Sequence, residues 1–342
     1  MYLRLCSIVR NWKIVDGKWR IENGRKNHYF PISNFHNHYP ISNNQFLGSE
    51  KMIKKLIIAF VIYSIVLLLL GRNLAFLPQF DFRSDQKKTQ ALRKNVIGKF
   101  LKTIKGTYSI YYKDLKTGEE FGIDENKVLT AASLTKVLII AYLYNQANKG
   151  KINLEDKIVI QKDDIQDYGT GSIRYEGEGK AYSLKQLIKL ALEQSDNTAA
   201  HVLVLKLGED KIQKFGEKLG FSATKMKENK TSAQEMGRLF ELIYLRKITS
   251  EPLTREFLDF MKDTDFEDRL ARDLPSNVAM YHKAADATNM VHDAGIIDPG
   301  STGVDDGKNP FILSILTENI ASEEEAKKNI GKLAKFIYDQ RN

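Results

Sequence analysis

Over residues 95–342 strand patterns stand at both ends and helical patterns fill the middle, an order that constrains the fold more than composition does. Thr107–Lys113 and Glu119–Ile123 flank the turn Lys116-Thr117-Gly118 and read as a β-hairpin. Helical periodicity follows over 133–149, 183–194, 197–219, 231–247 and 253–271. Strand patterns return at 278–284, 291–297 and 311–317, ahead of a final amphipathic helix, 323–340. Strands at both ends with helices between them imply an α+β fold whose sheet joins the two chain ends.

Upstream, the apolar run Leu56–Leu70 follows Lys54 and Lys55 and precedes Gly71 and Arg72. Its fifteen residues fall short of the ~20 that cross a bilayer comfortably. The absence of a polar face disfavours a buried core helix, and residues 52–75 read as a signal peptide or signal anchor. The lysine pair would lie inside and the remainder outside, placing the protein on the extracytoplasmic face of the membrane, or secreted if the segment is cleaved. No cysteine follows the run, which excludes lipoprotein processing. Met52-Ile53-Lys54-Lys55 opens a well-formed signal, whereas the preceding stretch nearly duplicates itself: Asn27-His28-Tyr29-Phe30-Pro31-Ile32-Ser33-Asn34 returns as Asn37-His38-Tyr39-Pro40-Ile41-Ser42-Asn43. Residues 1–51 are therefore expected to be a disordered upstream extension, with translation starting at Met52. Residues 76–94 read as a basic tether.

The net charge of +9 points to nucleic acid only until it is divided along the chain. Residues 1–51 hold +5 and residues 52–100 hold +7, leaving −3 for residues 101–342. A nucleic-acid binder needs its cations on the folded face that tracks phosphates, so nucleic acid is not an expected partner. The single cysteine, Cys6, excludes a disulfide framework and a Cys-based zinc site. His201, His282 and His292 show no metal spacing, and no metal or cofactor is expected.

Three short motifs carry the chemistry. Ser133-Leu134-Thr135-Lys136 opens an apolar helix, and the i, i+3 spacing puts hydroxyl and amine on one face. A serine needs a base within hydrogen-bond reach, and a lysine serves only if burial lowers its pKa. Ser84-Lys87 and Ser222-Lys225 share the pattern without opening an apolar helix. Ser195-Asp196-Asn197 precedes a helix and is, on the ordinary reading, its cap. The functional reading adds a hydroxyl that relays a proton and an amide that binds a substrate carbonyl. His282-Lys283-Ala284-Ala285 lies on a strand, where Lys283 is either an ordinary edge lysine or the cation for a substrate carboxylate. His292-Asp293 leaves a Ser-His-Asp arrangement open as well.

In this order, the motifs from about residue 95 onward resemble the class A β-lactamase and serine penicillin-recognising (transpeptidase-like) superfamily. Asp114-Leu115-Lys116-Thr117-Gly118-Glu119, Thr231-Ser232-Ala233-Gln234-Glu235-Met236 and His292-Asp293-Ala294-Gly295-Ile296 extend the likeness. The resemblance implies an antiparallel sheet from both chain ends plus a mostly helical subdomain. It implies that Ser133 is acylated by a β-lactam or peptidoglycan-derived substrate, with Lys136 as base or part of the proton relay. Ser195 would pass the proton to the departing nitrogen, Asn197 would hold a substrate amide, and Lys283 would attract the substrate carboxylate. The backbone N–H groups of Ser133 and Asp286 would form the oxyanion hole. A monomer is expected.

Two departures qualify that expectation. The third motif reads Lys283-Ala284-Ala285 where the family has Lys-Thr-Gly or Lys-Ser-Gly, and Asp286 adds a negative charge beside the oxyanion hole, opposing an anionic substrate. The family's long loop with its water-holding glutamate is replaced by ten residues, Phe221–Lys230, in which Glu228 is the candidate general base. The expected activity is therefore acylation with slow deacylation. The alternative is a catalytically degenerate member that binds peptidoglycan or a protein.

Overall fold

In the computed structural model, which describes residues 12–15, 18–23, 26–31, 52–66, 82–300 and 309–341, the chain divides into two compact units, 1–80 and 81–342. In the first, β1 (Trp12–Val15), β2 (Lys18–Asn23) and β3 (Lys26–Pro31) form an antiparallel sheet in that order. The intervening dipeptides, Asp16-Gly17 and Gly24-Arg25, favour tight hairpins, and Trp12-x-Ile14 opposes Trp19-x-Ile21 in register. Residues 52–66 are helical, with most of their large apolar side chains exposed. The rest of the expected 52–75 segment lies outside the described residues. Among the described residues no helix is long and apolar enough to cross a membrane.

The second unit begins with α1 (Phe82–Leu101). Residues 82–94, the described part of the expected 76–94 segment, are helical and fall in this unit. Ile97 is buried in a core cluster, and Arg93 donates to Glu119 (3.1 Å) and to the Gln340 carbonyl (2.5 Å). The basic composition that suggested a solvated linker is here partly consumed in packing. The expected hairpin follows as β4 (Thr107–Asp114) and β5 (Glu120–Ile123), then β6 (Leu129–Thr130), a 3₁₀ turn at Ala132–Leu134 and α2 (Thr135–Asn148). β7 (Lys157–Val159) and β8 (Ala181–Ser183) pair beside α3 (Leu184–Glu193). The next helix is split at Gly208, whose φ of +85° a continuous helix cannot hold, into α4 (Asn197–Leu207) and α5 (Glu209–Lys218). β9 (Lys230–Thr231) pairs with β6 and leads into α6 (Ala233–Tyr244). α7 spans only Glu251–Asp259 of the expected 253–271 helix.

The chain closes with β10 (Ala279–Ala287), β11 (Met290–Asp298), β12 (Phe311–Glu318) and α8 (Glu323–Asp339). The main sheet is antiparallel, in the order β10-β11-β12-β4-β5, so β12 against β4 joins the two ends of the unit as expected. Side chains alternate between its faces with the strand period of two. Tyr111, Ile312, Leu316, Ala294 and Ala285 pack with the helical block, whereas Tyr112, Leu313, Ile315 and Ile297 pack with α1 and α8. Because both faces are covered, the strands read as nearly unbroken apolar runs.

Candidate active site

Helix α2 is apolar almost all round, with Val137, Leu138, Ile139, Ile140, Leu143 and Tyr144 buried. A lysine in its first turn is carried inward with them, and Lys136 is 5% exposed. Burying each aliphatic chain contributes about 1.5–3 kcal/mol, which together offsets the several kcal/mol that withdrawing an ammonium from water costs. Lys136 Nζ contacts the Ser195 carbonyl, lies 2.8 Å from Asn197 Oδ1 and 3.1 Å from Ser195 Oγ. Burial holds Lys136 well below the usual lysine range; the nearby Lys283 charge adds to this and Asp196 opposes it. A neutral amine has two N–H groups and one lone pair. These match the two carbonyl-type oxygens and the Ser195 O–H, so the unprotonated form is fully satisfied.

Ser133 sits in the 3₁₀ turn that leads into α2, entered through Ala132 at φ +48°. Such a backbone conformation costs an L residue on the order of 1–3 kcal/mol. Ser133 and Lys136 line one cavity of about 630 Å³, while the hydrogen bonds of Nζ go to Ser195 and Asn197.

The Ser195-Asp196-Asn197 turn divides its labour. Asp196 is the cap, its Oδ1 accepting from Ala199 N (2.8 Å) and its Oδ2 from Ile173 N (2.9 Å). Ser195, at φ +55°, and Asn197 turn instead toward Lys136. The loop 166–172 is pinned over this turn: Asn197 Nδ2 donates to the Tyr168 carbonyl (3.0 Å), and Thr170 Oγ1 to the Ser195 carbonyl (3.0 Å). Gly169 and Gly171 permit the approach, since a Cβ at Gly171 would lie 2.2 Å from Asp196 Oδ2 and 2.5 Å from its Cα.

On β10 the alternation separates the third motif. His282 is wholly buried, with Nδ1 2.8 Å from Asp293 and Nε2 3.0 Å from Glu267. Although burial alone would lower it, these carboxylates raise His282 to about 9. Lys283 is 1% exposed, donates to the Ala284 carbonyl (2.7 Å), and is lowered to about 7, chiefly by burial and then by Arg269, against Asp293 and Asp286. Lys283 is therefore behind the cavity wall and not on it. Asp286 is on the wall, held by Arg269 through two parallel bonds of 2.7 and 2.8 Å. His292 is buried and occupied at both nitrogens, by the Thr130 carbonyl (2.9 Å) and Thr317 N (3.0 Å). This leaves no ring nitrogen for Ser133 and removes the Ser-His-Asp arrangement.

Of the remaining sequence candidates, Ser195 is buried next to Lys136, and Glu228 is exposed and off the wall. Its neighbour Asn229, at φ +50°, lines the cavity, because the left-handed bend separates the directions of adjacent side chains. The short loop is organised by Glu235, whose buried carboxylate accepts from Ser222 N (2.6 Å), Ala223 N (2.8 Å), Thr224 N (2.7 Å) and Thr224 Oγ1 (2.7 Å). Sequence reasoning missed Arg269, which carries no motif and lies in a stretch with helical pattern. It also missed His201, which lines the cavity one turn beyond Asn197 on α4; the i, i+4 spacing is the signal that could have found it.

The Beta-lactamase enzyme family model matches residues 90–340, and the chain belongs to that family. Beta-lactamase BRO-1 of Moraxella catarrhalis is 29% identical over 83 residues, which are 24% of this chain and about a quarter (26%) of that protein's length. Among solved structures, a beta-lactamase from Sphaerobacter thermophilus superposes with a TM-score of 0.63 at 18% identity, covering 75% of this chain and 96% of that one. PBP-A superposes at 0.64 with 21% identity over 74% and 94% of the two chains. These likenesses establish the β-lactamase fold of this chain.

Proposed function

We propose that this protein is a serine hydrolase that forms an acyl-enzyme with β-lactams or cell-wall peptides and deacylates slowly. Ser133 Oγ bonds to the carbonyl carbon while the C–N bond breaks. The Ser195 O–H turns from Lys136 Nζ and gives its proton to the departing nitrogen; the lone pair so freed takes the Ser133 proton, and Lys136 returns one proton to Ser195 Oγ. The observation that carries this reading is the buried, low-pKa Lys136, satisfied as a neutral amine by Ser195 and Asn197 on the wall of the Ser133 cavity. Asn197 holds the substrate amide, and the Ser133 and Asp286 backbone N–H groups face the developing oxyanion, a contribution of about 3 kcal/mol each by analogy with other acyl-transfer sites. Slow deacylation follows because no glutamate on the wall activates water: Glu228 is off it, and Glu235 is fully engaged by the loop it organises.

Incubation of the full chain with a fluorescent penicillin tests the reading. A point mutant of PBP-A has been described as an acyl-enzyme complex with penicillin G, which makes penicillin the natural probe. A covalent adduct that survives for hours and is lost in Ser133→Ala is the expected result. The enclosed Lys283 favours a second reading, a catalytically silent binding module. No adduct, with nitrocefin and a thioester acyl donor that lacks a carboxylate both left intact, would establish it.

The proposed location is extracytoplasmic, with Leu56–Leu70 as the secretory or anchoring segment. The exposed apolar side chains along residues 52–66 support this. Protease accessibility on intact cells, against fractionated membranes, checks it.

A further inference from the structure

We infer that the acyl donor selected by this cavity ends, on the β10 side, in an N–H donor such as a primary carboxamide, and not in a carboxylate. The inference rests on the acyl-transfer reading above and names its substrate class.

Among the described residues, the three cations around Asp286 on β10 all have internal partners. Arg269, with no exposed side-chain surface, spends two N–H groups on Asp286 and its Nε on Asp268 at 2.9 Å. His282 lies between Asp293 and Glu267. Lys283 is buried with its Nζ 5.3 Å from the Phe266 ring centre, and donates to the Ala284 carbonyl. The charged residue that the strand contributes to the lining, beside Ala287, is Asp286, whose side chain is about a third exposed (36%). An incoming carboxylate meets like charge there, and it reaches Arg269 only by displacing an internal, bidentate partner. An incoming N–H meets no such obstacle. A carboxylate has about four lone-pair positions; Arg269 uses two, leaving an acceptor on each oxygen without disturbing the pair.

Two thioester acyl donors with the same acyl group and different leaving groups, mercaptoacetate and mercaptoacetamide, test the inference on the full chain. The wild-type protein is expected to be acylated at least tenfold faster by the carboxamide donor. Asp286→Asn, which retains the shape and removes the charge, should bring the ratio close to one by accelerating the carboxylate donor. Equal rates in the wild type, or a ratio unmoved by Asp286→Asn, overturn the inference while acyl transfer stands. Reaction with neither donor overturns acyl transfer. Binding of the same pair to Ser133→Ala then still decides the selectivity: tighter binding of the carboxamide supports it, and equal or tighter binding of the carboxylate refutes it.

Discussion

His282 shows how a single side chain behind the site ties stability to pH. Its folded pKa is about 9 against 6.5 for the free side chain, because Asp293 and Glu267 hold the charged form despite full burial. The stabilisation is fully present below pH 6.5, where both states carry the proton, and is lost as pH rises through 9; it is on the order of 3 kcal/mol. Lys136 and Lys283 act in the opposite sense, since burial lowers them and their share of stability rises with pH. The comparison therefore has to be made against His282→Gln. In urea titrations the gap between wild type and variant should be constant below pH 6.5 and should narrow steadily toward pH 9. Lys136 is tested at the same scale. Lys136→Met keeps the length and removes the base, so the rate of penicillin adduct formation should fall 10²–10⁴-fold. Ser133, Lys136 and Asn197 were singled out by the joint order of three motifs and not by any one spacing, since Ser84-Lys87 and Ser222-Lys225 share the first. Arg269 was not, because its role depends on a through-space partner, Asp286, that no local pattern announces.

Short connecting elements set the shape of the cavity. The glycine loop 166–172 lies against the Ser195 turn so closely that Gly171, at φ +113°, meets Asp196 backbone and carboxylate together. Gly171→Ala is expected to displace both the loop and the turn, reducing adduct formation at least tenfold, with a loss of about 2 kcal/mol or more in unfolding free energy. On the other side of the site, five hydrogen bonds converge on the Glu235 carboxylate. Glu235→Ala leaves three backbone N–H groups without their acceptor, each a loss of about 1–3 kcal/mol unless water replaces it. Its unfolding midpoint in urea should fall well below that of the wild type. The long elements were readable because α3, α6 and α8 bury one face of a helix and β4, β11 and β12 bury both faces of a strand. The break at Gly208 and the end of α7 at Asp259 were not. At Gly208 the apolar periodicity runs on through a residue whose φ of +85° ends the helix, and after Asp259 the pattern stays helical while the chain turns away. The segment after α7 leaves the helix to bring Thr264, Glu267 and Arg269 against β10.

At the scale of the whole folded unit, a sheet joining both ends makes the helical block dependent on the last residues of the chain. Arg341 follows α8 and is 5% exposed. It donates to Asp114 at the end of β4 (2.6 Å) and lies 4.0 Å over the Phe311 ring at the start of β12. It thereby joins the C-terminus to the two strands that close the sheet. Asp114 has other support, since its Oδ1 accepts from Lys116 N (2.9 Å) and Thr117 N (2.7 Å). Removing Arg341 therefore does not strand the carboxylate completely, and the loss should fall below the 3–5 kcal/mol typical of a broken buried pair, at about 2–3 kcal/mol. The two core clusters share the sheet between them, so the loss should not stay local. Arg341→Met, which keeps contact with Phe311 and gives up the charge, is expected to lower the urea midpoint measured by far-ultraviolet circular dichroism. The midpoint for loss of penicillin labelling at Ser133 should fall by the same amount, although Ser133 belongs to the opposite side of the sheet. Labelling lost well before the circular dichroism signal would show that the helical block unfolds independently, and would refute a single cooperative unit.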